Sequence, residues 1–376
     1  MITDTKRYLL GQIVFTILCL LLFILFIMNS STVSKSIQAS ITLCTQTIIP
    51  ALFPYFILSE LILSSNIGNL LCKTIGKPCS VLFGISEISF YPIVIGALCG
   101  FPIGAKLTTS LLDKGYITPK EAERILCLCN NPSPTFLINV VGISLYSNKK
   151  LGVILWLITL STTFIIGICY NLLFGRTFKK FVHINNLNNK ITFSKITQII
   201  GESIYPVLKT CAYIIFFSAL MGCLINSINT IKINEYTIAI LYGVIELSGG
   251  VNQISLLNNN ILSLCILSFA IGWAGVSVHL QIMSICQSQN INLKPYIFSK
   301  FFQGLLNIAT ILAVHAVAPD LFDINNTTTS IPSFYKYYVP IFQNIILIIF
   351  LGLALLYLYK NITKQRLLSY ISIRQY

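Results

Sequence analysis

The chain has 376 residues, 55% of them hydrophobic and only 10% charged, with a net charge of +14 and a mean hydropathy of +0.81. Soluble domains carry about 25% charged residues, so this composition excludes an ordinary soluble domain and marks a polytopic membrane protein. At roughly 20 residues per span the length allows about ten membrane segments and no large soluble module.

Lys6 and Arg7 precede an apolar run over residues 9–28. It is long enough to span, and Asn29-Ser30-Ser31-Thr32 offers no clear cleavage site, so it is expected to be a retained first span. Further apolar runs fall at 41–63, 82–112, 122–146, 151–173, 203–225, 237–261, 262–286, 299–319 and 339–359. If every run crossed, the basic loops would alternate between sides. If 82–112 and 237–261 are instead re-entrant hairpins and the N-terminus is cytoplasmic, most basic residues, Arg124 and Lys300 among them, fall inside. Lys35, Lys149, Lys150, Lys232 and Lys336 then remain outside. This clustering at run ends sets orientation and gives no ground for expecting nucleic acid as a partner.

The expected fold is an all-α polytopic membrane protein with inverted repeats, two re-entrant hairpins and broken helices. Residues 1–40 form the first span and a loop, 41–173 a first repeat, 174–202 a basic cytoplasmic linker, 203–319 a second, inverted repeat, and 320–376 a last span with a basic cytoplasmic tail. Pro50-Ala51-Leu52 matches Pro206-Val207-Leu208, and Gly96-Ala97-Leu98 matches Gly243-Val244-Ile245, as faint similarity between the halves.

The most telling segments break their own helices. Gly100-Phe101-Pro102-Ile103-Gly104-Ala105-Lys106 and Cys129-Asn130-Asn131-Pro132-Ser133-Pro134 put glycine and proline inside runs apolar enough to enter a bilayer. Unwound backbone at that depth survives only where protein or a water-filled cavity satisfies it, and in transporters it marks the substrate site. Candidate binding residues are therefore Gly100, Pro102, Gly104, Lys106, Asn130, Asn131 and Ser133. Lys106 either meets an anionic ligand or snorkels to the interface. Asn130 and Asn131 either contact substrate or cap a kink. In the second half, Glu246 and Asn252 occupy the matching hairpin tip, Glu246 binding a coupling proton or cation or pairing with Lys106 or Lys209. Ser277, His279 and Gln281 cluster beside Gly272 and Gly275.

Many of the 12 cysteines lie inside apolar runs, where cysteine packs as a small hydrophobe. Neither a P-loop nor an H-E-x-x-H or G-x-S-x-G motif occurs, so no enzyme activity, catalytic residue, cofactor or metal is expected. Thr118-Pro119-Lys120-Glu121 reads as a helix start, with Glu121 closing a capping box.

Together, Gly100 to Lys106, Ile117 to Arg124, Cys129-Asn130-Asn131 and Gly275 to Gln281 resemble the sporulation integral membrane proteins of spore-forming Firmicutes, a Gate-domain group related to nucleoside transporters. The group's usual Asn-Asn-x-Gly-Pro stands here as Asn130-Asn131-Pro132-Ser133-Pro134. The resemblance implies a carrier of a small organic anion, dipicolinate among the candidates, in the cell membrane or outer forespore membrane. A nucleoside-like or other neutral solute carrier and a non-transporting scaffold for spore envelope assembly remain alternatives. Expected partners are the anion, the lipid bilayer and a coupling proton or cation, with homo-oligomerisation open.

Overall fold

A computed structural model describes residues 2–63, 76, 79–176, 193–228, 234–258 and 260–317. All lie in the first of two compact units, Met1–Ile324. The expected span at 339–359, the basic tail and most of the linker, 177–192, lie outside the described residues.

Among the described residues all regular structure is helical. Helix α1, Ile2–Met28, exposes a row of large apolar side chains, Phe15, Leu18, Leu21 and Phe23 among them. The axis then turns by 91° at Asn29. Residues 30–40, expected as loop, are helical: α2 is Ser30–Leu43, leading through a π-helical turn, Cys44–Ile48, into α3, Ile49–Leu63. The widened turn directly precedes Pro50, whose ring cannot coexist with a normal helical carbonyl four residues back. This long, bent segment lies along α8, Phe193–Ile228. Asn226 donates to Asn29 Oδ1 at 2.8 Å, while the Cys44 thiol lies against the Cys211 carbonyl.

Between them come α4, Phe90–Cys99; α5, Ile103–Asp113; α6, Pro119–Cys129; a π-helical segment, Phe136–Leu145; and α7, Lys149–Phe174. After α8 follow α9, Glu235–Ile245; α10, Leu247–Ser255; α11, Ile261–Trp273; α12, Gly275–Cys286; and α13, Lys294–Val317. Among the described residues four stretches are long and apolar enough to cross a membrane, α7, α8, α11 with α12, and α13; the bent pair Gln12–Met28 and Ser30–Ile48 makes a fifth. The runs at 82–112, 122–146 and 237–261 do not add full spans because each is cut into pieces of 9 to 11 residues. At about 1.5 Å per residue such pieces reach roughly half the ~30 Å hydrocarbon core.

One end of the bundle is tied by polar contacts around α6. Arg124, fully buried, donates to the carbonyls of Phe83 (2.9 Å), Gly84 (3.0 Å) and Gly175 (2.7 Å), and lies over the Tyr170 ring. It thus serves as a shared cap for the end of α7 and for the chain before α4, where carbonyls lack helical partners. The expected capping box is half formed. Thr118 accepts from Glu121 N at 3.2 Å, but the Glu121 carboxylate turns away to Ser86 N and Ser89 Oγ, both at 2.6 Å. Gln289 donates to Asp113, and Asn292 N to Glu123 at 3.1 Å, bringing the loop before α13 to the same end.

Among the described residues the apolar core has two large centres and a small one around Cys44, Cys211 and Ile214. One large centre gathers Ile103, Leu107, Ile125 and Leu126 with Ile282 and Tyr296; the other gathers Leu137, Leu155, Val251, Ile254 and Leu267. Phe101 packs against both of these.

Candidate functional site

Four chain breaks define the site, and each follows from local chemistry. At the first, Gly100 ends α4 with φ +85°, a conformation open to glycine, and its N–H closes on Gly96 O at 2.8 Å. A cis Phe101–Pro102 bond follows, and α5 begins at Ile103.

At the second, Pro132 has no N–H to offer the carbonyl of Leu128 four residues earlier. The Asn131 side chain supplies the substitute, Nδ2 to Leu128 O at 2.9 Å, and Asn130 Nδ2 does the same for Leu126 O at 2.9 Å. Ser133 Oγ then accepts Phe136 N at 3.1 Å and starts the next segment.

At the third, Glu246 leaves helical geometry and its carboxylate accepts Ser248 N (2.8 Å) and Gly249 N, capping α10. At the fourth, Ala274 is left-handed, φ +70°, followed by Gly275 at φ +85°.

The breaks associate in pairs. Phe101 N donates to Asn131 O at 3.0 Å, and a Cβ on Gly100 would stand 2.8 Å from Ser133 N. Trp273 Nε1 donates to Val244 O at 2.9 Å, and a Cβ on Gly275 would stand 3.1 Å from Leu247 N. The two pairs face each other across a cavity of about 70 Å³, bordered by Gly100 and Ser133 on one side and Glu246, Ser248, Ser277 and Gln281 on the other. Ile48 and Leu52 complete the wall from the α3 side, and Thr210 and Ile214 from α8. A water occupies about 10–15 Å³ on this measure, so a few waters fit, whereas drug-sized ligands need ~300 Å³ or more. Ser277 Oγ and Gln281 Oε1 are buried there with no hydrogen-bond partner among the described residues.

Of the expected binding residues, Gly100, Ser133, Glu246, Ser277 and Gln281 line this cavity, and Pro102 and Asn131 build the breaks beside it. Asn130 is a buried cap whose Oδ1 has no partner among the described residues. Gly104 lets α5 approach α6, where a Cβ would meet Cys129 Cβ at 2.8 Å. Lys106 is half-buried on α5 and does not border the cavity. His279 is held by Tyr296 OH at 3.1 Å and stacks edge-on with Trp273, also off the cavity. Asn252 is exposed on α10. Glu246 pairs with neither Lys106 nor Lys209 in any described hydrogen bond: it caps α10, and Lys209 Nζ donates to Ser284 O at 3.2 Å.

A second polar cluster lies directly behind the second break. Lys300, assigned by the charge pattern to the cytoplasmic side, is 1% exposed inside the bundle. Its Nζ donates to Asn131 Oδ1 (3.0 Å) and Gln303 Oε1 (2.8 Å). Gln303 Nε2 also donates to Asn131 Oδ1 (2.9 Å) and to Thr163 Oγ1 (2.8 Å), and Thr163 Oγ1 donates to Asn131 Oδ1 at 3.1 Å. One turn on, Asn307 accepts from Thr162 at 2.7 Å and donates to Ser268 O at 3.1 Å. The available signal was periodic: Lys300, Gln303 and Asn307 share one face of α13, while Phe298, Phe301, Phe302 and Leu305 cover the other and are exposed. That is the reverse of a soluble helix, and it marks a polar interior against lipid.

Helical architecture, long apolar helices and half-length, broken segments converging on one small cavity define an all-α polytopic membrane protein. The chain is similar to the sporulation integral membrane protein YlbJ of Bacillus subtilis (strain 168), with 24% identity over 328 residues, 74% of this chain and 78% of the relative. No protein-family model and no solved structure matches it.

Proposed function

We propose that this chain is a carrier of a small organic anion, acting in sporulation as the name of its relative suggests, with dipicolinate as the leading substrate. The observation that carries the reading is the meeting of all four breaks around one cavity holding unpartnered Ser277 and Gln281 groups. Such atoms are costly to bury without a partner, and a polar solute supplies one.

Charge favours an anion over a neutral solute. Helix N-termini carry roughly half a positive charge each. Those of α5 and α12 have no side-chain cap, while Glu246 offsets that of α10. Lys300 does not itself border the cavity, but it donates to Asn131, two residues from Ser133 on the wall, and adds a cation behind it. The cavity is too small for dipicolinate as it stands, so loading requires the two pairs of breaks to part. One pair belongs to residues 41–173 and the other to 203–319, so rocking one half against the other opens the site, as in inverted-repeat carriers. In this reading α4–α5 and α9–α10 are re-entrant hairpins, and the end around Arg124 is cytoplasmic.

The test is uptake of labelled dipicolinate into proteoliposomes by wild type and by Gln281→Leu. Saturable uptake by wild type that Gln281→Leu loses while inserting normally supports the reading. Absence of uptake by well-inserted wild type overturns dipicolinate, and the same vesicles loaded with nucleosides then separate a neutral-solute carrier from a scaffold.

A further inference from the structure

Lys300 stands apart from every other charged group buried in the described residues. Arg124 is engaged with three carbonyls, Glu121 with Ser86 and Ser89, and Glu246 with the α10 N-terminus. Lys300 has two acceptors, Asn131 Oδ1 and Gln303 Oε1, and both are neutral amide oxygens. An ammonium enclosed among neutral groups is poorly compensated for leaving water.

The ionisable groups facing it supply no anion at neutral pH. They are the thiols of Cys127 and Cys129 on α6, the imidazole of His279 on α12 and the Tyr296 phenol one turn back on α13. From α7 come the hydroxyl of Thr163 and the carbonyl of Thr159, and from α11 the carbonyl of Ser268. The α6 carboxylate of Glu123 is turned to Asn292 N.

We propose that Lys300 takes up and releases a coupling proton in each transport cycle. This rests on reading the adjacent cavity as the substrate site. Asn131, which accepts from Lys300, is two residues before Ser133 on the cavity wall, and its carbonyl holds Phe101 of the first break. An anion seated in the cavity supplies the counter-charge the ammonium lacks, and its departure removes it. With the cavity open to one side, Lys300 as –NH2 accepts one proton from water and becomes –NH3+. When the anion leaves on the other side, that proton returns to water there, and no other bond forms or breaks. One proton therefore accompanies each anion. The first half senses the change, because Asn131 is the acceptor that alternates between an ammonium and an amine.

The experiment uses full-length protein in vesicles enclosing a pH-sensitive dye, with dipicolinate as the probe. Labelled-for-unlabelled dipicolinate exchange, net dipicolinate uptake and internal pH are followed. We expect an inward dipicolinate gradient to acidify the lumen of wild-type vesicles, and an imposed inward proton gradient to accelerate uptake until a protonophore is added. In Lys300→Gln and Lys300→Arg, the protons moved per dipicolinate in whatever uptake remains fall toward zero. Net wild-type uptake down the dipicolinate gradient without acidification overturns the proposal whether or not either variant folds, and leaves the substrate reading intact. One-for-one exchange moves no net proton and serves only to show that the carrier works. Undiminished acidification by Lys300→Gln also overturns it. Absence of exchange in wild type overturns the substrate reading and this proposal with it.

Discussion

The amide of Phe101 donates to the carbonyl of Asn131 at 3.0 Å, so two breaks separated by helices α5 and α6 form one unit. Asn131 therefore works in three directions: its carbonyl holds the first break, its Nδ2 stands in for the N–H missing at Pro132, and its Oδ1 gathers three donors from α7 and α13.

Replacing Asn131 tests that convergence. Asn131→Leu leaves Lys300 and Gln303 short of an acceptor in the interior, where an unmet polar group costs about 1–3 kcal/mol and a charged one more. A loss of about 3 kcal/mol is expected in detergent unfolding. Asn131→Asp, which offers Lys300 a carboxylate, loses less; equal losses by the two variants would contradict this role for Oδ1.

Arg124→Lys keeps the charge but cannot fork across three carbonyls. The expected cost is about 2 kcal/mol, from carbonyls left unmet at the end of α7 and before α4. Hydrogen exchange localises it: protection drops at residues 79–84 and 171–175 and is unchanged in α11.

Two glycines with similar backbone separate strain from proximity. Gly100 and Gly175 have φ of +85° and +65°, but a Cβ on Gly175 meets nothing within 4 Å while one on Gly100 meets Ser133 N at 2.8 Å. Both also have extended ψ, 177° and −167°, a region essentially restricted to glycine, so both alanine variants carry backbone strain of about 1–3 kcal/mol. Only Gly100→Ala is expected to abolish dipicolinate uptake, read at equal insertion.

Lys106→Ala checks where the cation that matters lies. Lys106 does not border the cavity, so the variant is expected to change the half-saturating dipicolinate concentration by less than about threefold, under 1 kcal/mol. A shift of a hundredfold would return Lys106 to the site.

The breaks were legible in the sequence because glycine and proline act within a few residues. Pro132 removes a donor whatever surrounds it, and Gly100 permits its own φ. The residues beyond them depended on distant partners. Glu121 looked like half of a capping box, yet Ser86 and Ser89, 35 and 32 residues away, claim its carboxylate. Lys300 sat near the start of an apolar run and resembled an interface lysine; its acceptor is 169 residues upstream. Residues 30–40 read as loop for want of hydrophobicity, but Ser36 and Thr32 are small and face Gly222 of α8, where close approach replaces apolar burial.

The reversed faces of α13 also bear on how the protein is made. Each partner of its polar stripe, Asn131, Thr162, Thr163 and Ser268, is synthesised earlier. Entering lipid alone, the helix would present Lys300, Gln303 and Asn307 to hydrocarbon, with the lysine disfavoured by about 2.5–3.5 kcal/mol if near mid-membrane. Docking against the earlier helices removes that penalty. The polar stripe of α13 thus ties the insertion of the last described helix to the groove formed by α6, α7 and α11, which lie before it in the chain.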